Sequence, residues 1–437
     1  MLAFFIPLGL SASLVTLSHV IINSTLARAT VNPEGVIAGY TIAMSIFALT
    51  ERPAVLLRQT CSALVRDRSS FKALSLLCLY ILSGIFGLTL LIAYTPVGHS
   101  IFRYVFGAED TLRGSILDAY RVLMFVTFFS AIRCIYQGII ISQMRTKWMT
   151  IGMVFRLSVM ALIAFAFMSF PEHIDGRAGA VIFLTGMATE ALVSYLEGRS
   201  LYKKMPAQSE DEPPQKIESI FGFYYPLLIS SFIAVTVAPA INAMLGKTTD
   251  SVLAIASYAL ALGITQLVNS FFSYTHQIVL NFYRKDRNRV LRFTRLMSFI
   301  PGAILCLLAF TPAGRWVMEH LVGASGVLLE SSLDTLKVFV IMALVFPWID
   351  FCNGLLMLRS QTRMMMWSQG SNIAVTVIVL VLCIAFTPGW NGAVGALAQS
   401  LGMFAELTVL CVFLYRVRRS AGRIKSMQET GKRPLSG

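Results

Sequence analysis

The sequence predicts an all-α polytopic membrane protein: about 12 transmembrane helices in two pseudo-symmetric six-helix bundles around a central cleft. Three observations predict it. The chain is 56% hydrophobic and only 13% charged, whereas soluble domains carry roughly 25% charged residues. Stretches of about 20 apolar residues, long enough to cross a bilayer as helices, recur along all 437 residues. The second half also repeats the first.

The spans follow in order. The first, 2–27, lacks a basic n-region and carries an early Pro7 and late polar residues, so it reads as a span and not as a cleaved signal. The second, 35–64, contains "TERP", in which Glu51, Arg52 and Pro53 interrupt an apolar run, with Arg58 further on. Spans three to six are 73–95, 117–142, 149–170 and 178–201. A polar, Pro-rich stretch, "KKMPAQSEDEPPQKIES", then divides the chain. Spans seven to twelve are 219–246, 252–281, 293–312, 334–358, 364–387 and 391–415. The expected organisation is a half at 1–202, a cytoplasmic linker at 203–217, a second half at 218–416 and a basic tail at 417–437.

Lys and Arg set the orientation, because cytoplasmic loops retain them. With the N-terminus inside, the inner loops hold Arg66, Arg68, Lys72, Arg145, Lys147, the run "YRKDRNRVLRFTR" and the basic tail. The outer loops hold only Arg28, Arg103, Arg113, Arg177, Lys247 and Arg315. Both termini are expected in the cytoplasm of a plasma or inner membrane. The net charge of +14 then reflects topology and attraction to membrane lipids, and no nucleic-acid partner is expected. The seven cysteines lack metal spacing and read as small packing residues.

The duplication is specific. Pro7 matches Pro226, Ser11 matches Ser230, Asn23 matches Asn242 and Arg28 matches Lys247, all at one offset. "AGYTIAMSI" in span two answers "ASYALALGI" in span eight, followed by "RDR" and "KDR". Asp118 pairs with Asp334, Arg121 with Lys337 and Gln137-Gly138 with Asn353-Gly354. Spans six and twelve share G-M-x-x-E, ending at Glu190 and Glu406. Six spans per half return the chain to the same side, so the repeats are parallel, about an axis along the membrane normal. Two such bundles leave a cleft for a substrate.

Four blocks carry a family resemblance: "FIPLGL" at 5–10, "AGYTIAMSI…P…VRDRSSFKAL" at 38–74, "YYPLL…APAINAML" at 224–245 and "NGAVGA…GMFAE" at 391–406. With the two-times-six arrangement they resemble the multidrug/oligosaccharidyl-lipid/polysaccharide (MOP) exporter superfamily, of MATE-like architecture, and within it most the progressive ankylosis (ANK) protein family. The resemblance implies export by rocking of the two halves. ANK relatives are associated with efflux of pyrophosphate, citrate or nucleotides, whereas other branches move cationic drugs or lipid-linked saccharides. Pro53 fits the ANK pattern; the Glu-Arg pair before it does not.

A charge inside the membrane is costly, and each is a functional candidate. Arg52 and Arg133 lie near the middle of their spans and offer forked donors to an anion, with Glu51, Gln137, Asn23, Asn242 and Asn269 as companions. Alternatively each Arg pairs with a neighbouring acid or snorkels, the expected behaviour of Arg58 and Arg156 nearer the cytoplasmic edge. Asp350, Glu190, Glu406 and His19 are the candidates for proton or ion coupling. Because Glu190 and Glu406 recur in one motif, a shared role in hydrogen bonding within each bundle competes with that reading. Pro53 and Pro347 are expected to kink their helices beside charge.

No P-loop, H-E-x-x-H or Cys/His cluster occurs, so no cofactor and no metal are expected, and no catalytic residue is identified. The expected function is secondary active export of a small organic or phosphate-bearing anion, with H+ or Na+ as possible coupling ion. Lipid-linked saccharide flipping, multidrug antiport and, more remotely, an intramembrane lipid-processing enzyme remain alternatives.

Overall fold

The computed structural model describes residues 1–26, 28–30, 33–104, 113–170, 172, 174–208, 216–245, 247–322, 324 and 326–429. The middle of the expected linker, 209–215, and the end of the basic tail lie outside them.

Aspartates open several helices. Asp67 accepts from the Ser70 amide at 2.7 Å, Asp250 from Leu253 at 3.0 Å and Asp286 from Arg289 at 2.9 Å, and Asp175 caps by accepting from Arg177 and Ala178. Each satisfies an amide that the first helical turn leaves without a partner. Within the helices, hydroxyls such as Thr25, Thr60 and Thr265 bond the carbonyl one turn back, which spares these donors from facing hydrocarbon bare.

In chain order the first eight helices are α1 (Leu2–Leu26), α2 (Pro33–Leu64), α3 (Arg68–Tyr94), α4 (Pro96–Tyr104), α5 (Arg113–Leu123), α6 (Val126–Ser142), α7 (Lys147–Met168) and α8 (Gly176–Lys204). The rest are α9 (Ile217–Leu245), α10 (Ser251–Phe272), α11 (Thr275–Phe282), α12 (Arg287–Phe310), α13 (Pro312–Trp316), α14 (Gly326–Leu358), α15 (Arg363–Phe386) and α16 (Gly392–Glu429). Among the described residues they supply 12 spans long and apolar enough to cross a bilayer. The protein is a multi-pass α-helical membrane protein.

The chain forms two compact units, Met1–Leu228 and Ile229–Gly437. In the first, α8 packs on α5, α6 and α7, and α2 on α5 and α6. Ile220 and Tyr224, from the start of α9, join a core with Leu57, Leu74 and Ile139, and the Tyr224 hydroxyl donates to the Pro53 carbonyl at 3.0 Å. In the second, α16 packs on α10, α14 and α15, and α14 on α10, α11 and α12.

The repeat is visible as repeated packing. A Cβ on Gly179 would meet Leu26, Tyr40 and Ile22, and one on Gly395 would meet Leu245, Tyr258 and Ile241, the corresponding residues of the other half. Gly138 lets α6 approach α2, where a Cβ would lie 2.4 Å from that of Cys61. Gly354 does the same for α14 against α11, 2.9 Å from the His276 Cα.

Two spans expected as single helices are broken. Span four divides at Met124 and Phe125, and span eight at Ser273 and Tyr274. Three-residue-back bonds from the Phe125 amide to the Val122 carbonyl and from the Ser273 amide to the Ser270 carbonyl close the turns. Conversely, α1, α2 and α14 run through Pro7, Pro53 and Pro347 as continuous helices. Near Pro7, Thr146 and Thr150 of α7 donate to the Phe4 and Pro7 carbonyls at 2.9 and 2.8 Å, so a neighbouring helix serves the disturbed backbone.

Candidate functional site

The two glutamates of the repeated G-M-x-x-E motif occupy matching places and meet different partners. The glycine one turn earlier explains the motif. A Cβ on Gly186 would fall 2.5 Å from Met160 Cγ and 3.2 Å from Arg156 Cγ; on Gly402 it would fall 2.1 Å from Thr376 Oγ1 and 2.7 Å from Asn372 Oδ1. Only a bare backbone lets α8 lie this close to α7, and α16 to α15. The residue facing the glycine then reaches the glutamate one turn on.

In the first unit that residue is Arg156. Its Nη1 lies 2.9 Å from Glu190 Oε2, and Arg133 Nη1 lies 3.1 Å from the same oxygen. Gln137 Nε2 donates to Glu190 Oε1 at 2.9 Å, and Arg156 also stacks over the Phe183 ring, 5.1 Å from its centroid. Glu51 accepts from the Ser130 hydroxyl and lies 3.9 Å from Arg133 Nη2. Two carboxylates thus meet two guanidiniums, all within one packed bundle.

In the second unit the corresponding residue is Asn372. Its Nδ2 donates to Glu406 Oε2 at 2.6 Å, and Gln369 Nε2 donates to Oε1 at 2.5 Å. No guanidinium or ammonium reaches Glu406 among the described residues. The carboxylate opens instead on a cavity of about 230 Å³, lined also by Asp350, Asn353, Gln369, Asn372 and Gln399 and by apolar residues including Phe346 and Met403. Gln399 accepts from the Tyr258 hydroxyl at 2.7 Å, and Asn353 Oδ1 is buried without a hydrogen-bond partner.

Asp350 has a second task. Its Oδ2 accepts from the His276 amide at 2.8 Å and its Oδ1 lies 2.9 Å from His276 Nδ1. It therefore caps α11 across the break in span eight. Replacing it should loosen that helix: Asp350→Ala is expected to cost about 1–2 kcal/mol, the usual price of a lost cap, and to speed amide exchange over 275–279. Asp350→Asn, which keeps an acceptor, should leave exchange there near that of the native protein.

The structure brings Arg133, Glu51, Gln137 and Glu190 together, but not Arg52. Arg133 points into the bundle and engages Glu190, whereas Arg52 is exposed. The two were expected in one anion site. Adjacent residues on a helix point about 100° apart, and because Glu51 turns inward to Ser130, Arg52 turns away. Arg58 is half-buried and donates to Gln137 Oε1 at 3.3 Å. Arg156, expected near the membrane edge, is fully enclosed. Asn23 and Asn242 occupy matching exposed positions on α1 and α9. Asn269 is buried, with neither amide atom hydrogen-bonded. His19 lies against Phe183, ring centroids 6.3 Å apart.

Gln369 and Asn372 are the residues that sequence reasoning missed. The signal was there for Asn372, which follows Arg156 at the same offset that separates Glu190 from Glu406. Among the described residues no three His, Cys, Asp or Glu converge as metal ligands. Two carboxylates with amide oxygens form a hard-oxygen set suited to a proton or a small cation.

Comparison with solved structures agrees with this architecture. Over 96% of its length the chain is similar to a MATE crystallised in complex with MaL6, covering 96% of that chain at 14% identity and TM-score 0.77. An outward-facing multidrug resistance MATE family transporter of the MOP superfamily gives 0.76 at 15% identity, covering 96% of this chain and 95% of that one. A MOP superfamily transporter from Pyrococcus furiosus, described by the reverse polarity of its binding pocket, gives 0.73 at 15% identity with the same coverage. No protein-family model and no curated protein matches the sequence. The fold is that of the MATE transporters of the MOP superfamily.

Proposed function

We propose that the protein is a secondary active transporter working by alternating access, which exports a small organic or phosphate-bearing anion and draws its energy from a proton or sodium ion taken up beside Glu406. One observation carries the coupling. The duplicated glutamate is neutralised by two guanidiniums in one unit, but in the other it meets only neutral amides beside an open cavity. A carboxylate at membrane depth without a fixed counter-charge calls for a mobile one. Asp350, on the same cavity, adds to that demand.

The anion reading rests on Arg52. A guanidinium at mid-span is costly against hydrocarbon, and with Glu51 turned toward Ser130 it has no ion-pair partner among the described residues. Such a group suits a wet face that receives an anion. The resemblance of four sequence blocks to the ANK family supports pyrophosphate, citrate or a nucleotide-like species. The excess of Lys and Arg in alternate loops supports cytoplasmic termini.

A second reading, multidrug antiport, is favoured by the same acid-lined cavity, which holds no base. Its volume is below the 300 Å³ or so at which pockets begin to hold drug-sized ligands, which favours an ion there. The test is a comparison of secreted metabolites from cells with the native protein, with Arg52→Gln and without the protein. A polyvalent anion should leave the medium in both of the latter. Unimpaired export by Arg52→Gln, or a change confined to cationic compounds, would overturn the anion assignment.

A further inference from the structure

The repeated Arg/Lys-Asp-Arg element behaves differently in the two units. In the first, Arg66 caps the end of α2 by donating to the Ser62, Ala63 and Val65 carbonyls. Arg68 donates to the Tyr202 and Lys203 carbonyls. These cations serve backbone acceptors that the helix ends leave open. In the second, the turn from α11 into α12 keeps the aspartate cap, Asp286 to the Arg289 amide. The side chains of Lys285, Arg287, Arg289, Arg292 and Arg295 are exposed and reach no acid or carbonyl among the described residues.

Their placement identifies what they face. On α12, the exposed stripe runs Arg292, Arg295, Leu296, Phe299, Ala303, Leu307 and Phe310, while Thr294, Ser298, Pro301, Gly302 and Leu305 face the protein. Leu296, Phe299 and Phe310 are more than half exposed, at 65%, 62% and 66%, as lipid-facing residues of a span should be. From Arg292 to Phe310 the helix rises about 27 Å, close to the roughly 30 Å hydrocarbon thickness. With Phe310 at one boundary, Arg292 lies at the other, and Lys285, Arg287 and Arg289 lie among the headgroups.

We propose that the α11–α12 turn is a binding site for anionic phospholipid headgroups. The acyl chains lie along the apolar stripe of α12 and the phosphate meets the Arg292–Arg295 pair, with Lys285, Arg287 and Arg289 adding charge. The continuity of the basic cluster with a lipid-facing stripe selects a membrane lipid over a free phosphate. The proposal is independent of the transport reading and goes beyond it.

The test uses the full chain reconstituted in phosphatidylcholine vesicles carrying a trace of spin-labelled phosphatidylglycerol or spin-labelled phosphatidylcholine. Each basic residue near a membrane surface strengthens binding of anionic lipid about fivefold. The native protein should therefore restrict the phosphatidylglycerol label at least several-fold more than the phosphatidylcholine label. Arg292→Gln with Arg295→Gln should bring the two within about twofold, while Arg292→Lys with Arg295→Lys should retain the preference. Because these charges also guide insertion, each variant is compared at equal reconstituted, monodisperse protein. Equal restriction of both labels by the native protein, or an unchanged preference in the Gln variant, would overturn the site. Loss of preference on adding inorganic phosphate at constant ionic strength would make it a free-anion site and overturn the lipid assignment.

Discussion

Glu190→Ala is expected to destabilise the first unit by about 3–5 kcal/mol, the cost of removing one partner from a buried ion pair. Arg133 and Arg156 both point at Glu190 Oε2, from 3.1 and 2.9 Å, and both are buried. Without that carboxylate, Arg156 keeps, among the described residues, only Met187 Sδ, at 3.1 Å, and the Phe183 ring. Arg133 keeps Glu51, at the longer distance of 3.9 Å. Gln137 loses its acceptor as well. The loss belongs to the stranded charges more than to the pair itself, so Glu190→Leu combined with Arg133→Met, Arg156→Met and Glu51→Gln, which leaves no charge of the cluster behind, should recover most of the stability. Thermal melting of the detergent-solubilised protein checks both statements. A single mutant that melts with the native protein would remove Glu190 from the centre of the bundle.

Glu406→Gln is expected to do the opposite: little change in melting and a complete loss of coupling. The two amides that hold Glu406 are neutral, so no charge is stranded, and one reversed hydrogen bond costs about 1 kcal/mol. What the substitution removes is the charge facing the cavity. A transporter that needs an ion beside residue 406 to change sides would then move substrate only down its own gradient. The contrast between the two glutamates is sharper than either result alone, because the motif, the preceding glycine and the place in the bundle are the same.

The twelve spans and the repeat were legible because hydropathy and offset are one-dimensional signals. The equivalence of Glu190 and Glu406 followed from them, and the structure adds why Gly186 and Gly402 precede the glutamates. The breaks in spans four and eight carried no such signal. Neither contains Gly or Pro at the break, and the second is stabilised by Asp350, a residue 74 positions away from His276. Pro53 and Pro347, by contrast, stay within continuous helices. The direction of each Arg was likewise hidden. Arg52 and Arg133 are equally deep in the sequence, yet one turns outward and the other meets an acid 57 residues on. Depth along a span can be counted from residues, but which way a side chain turns depends on what the neighbouring helix presents.

The central claim is that an ion taken up at the second unit's cavity drives the substrate. The most direct measurement is accumulation of a labelled polyvalent anion, pyrophosphate or citrate, in proteoliposomes under an imposed proton or sodium gradient, with native protein and Glu406→Gln side by side. Native protein should accumulate the anion against its gradient, and Glu406→Gln should only equilibrate it, at a melting temperature close to native. Accumulation by Glu406→Gln equal to that of the native protein would contradict the account.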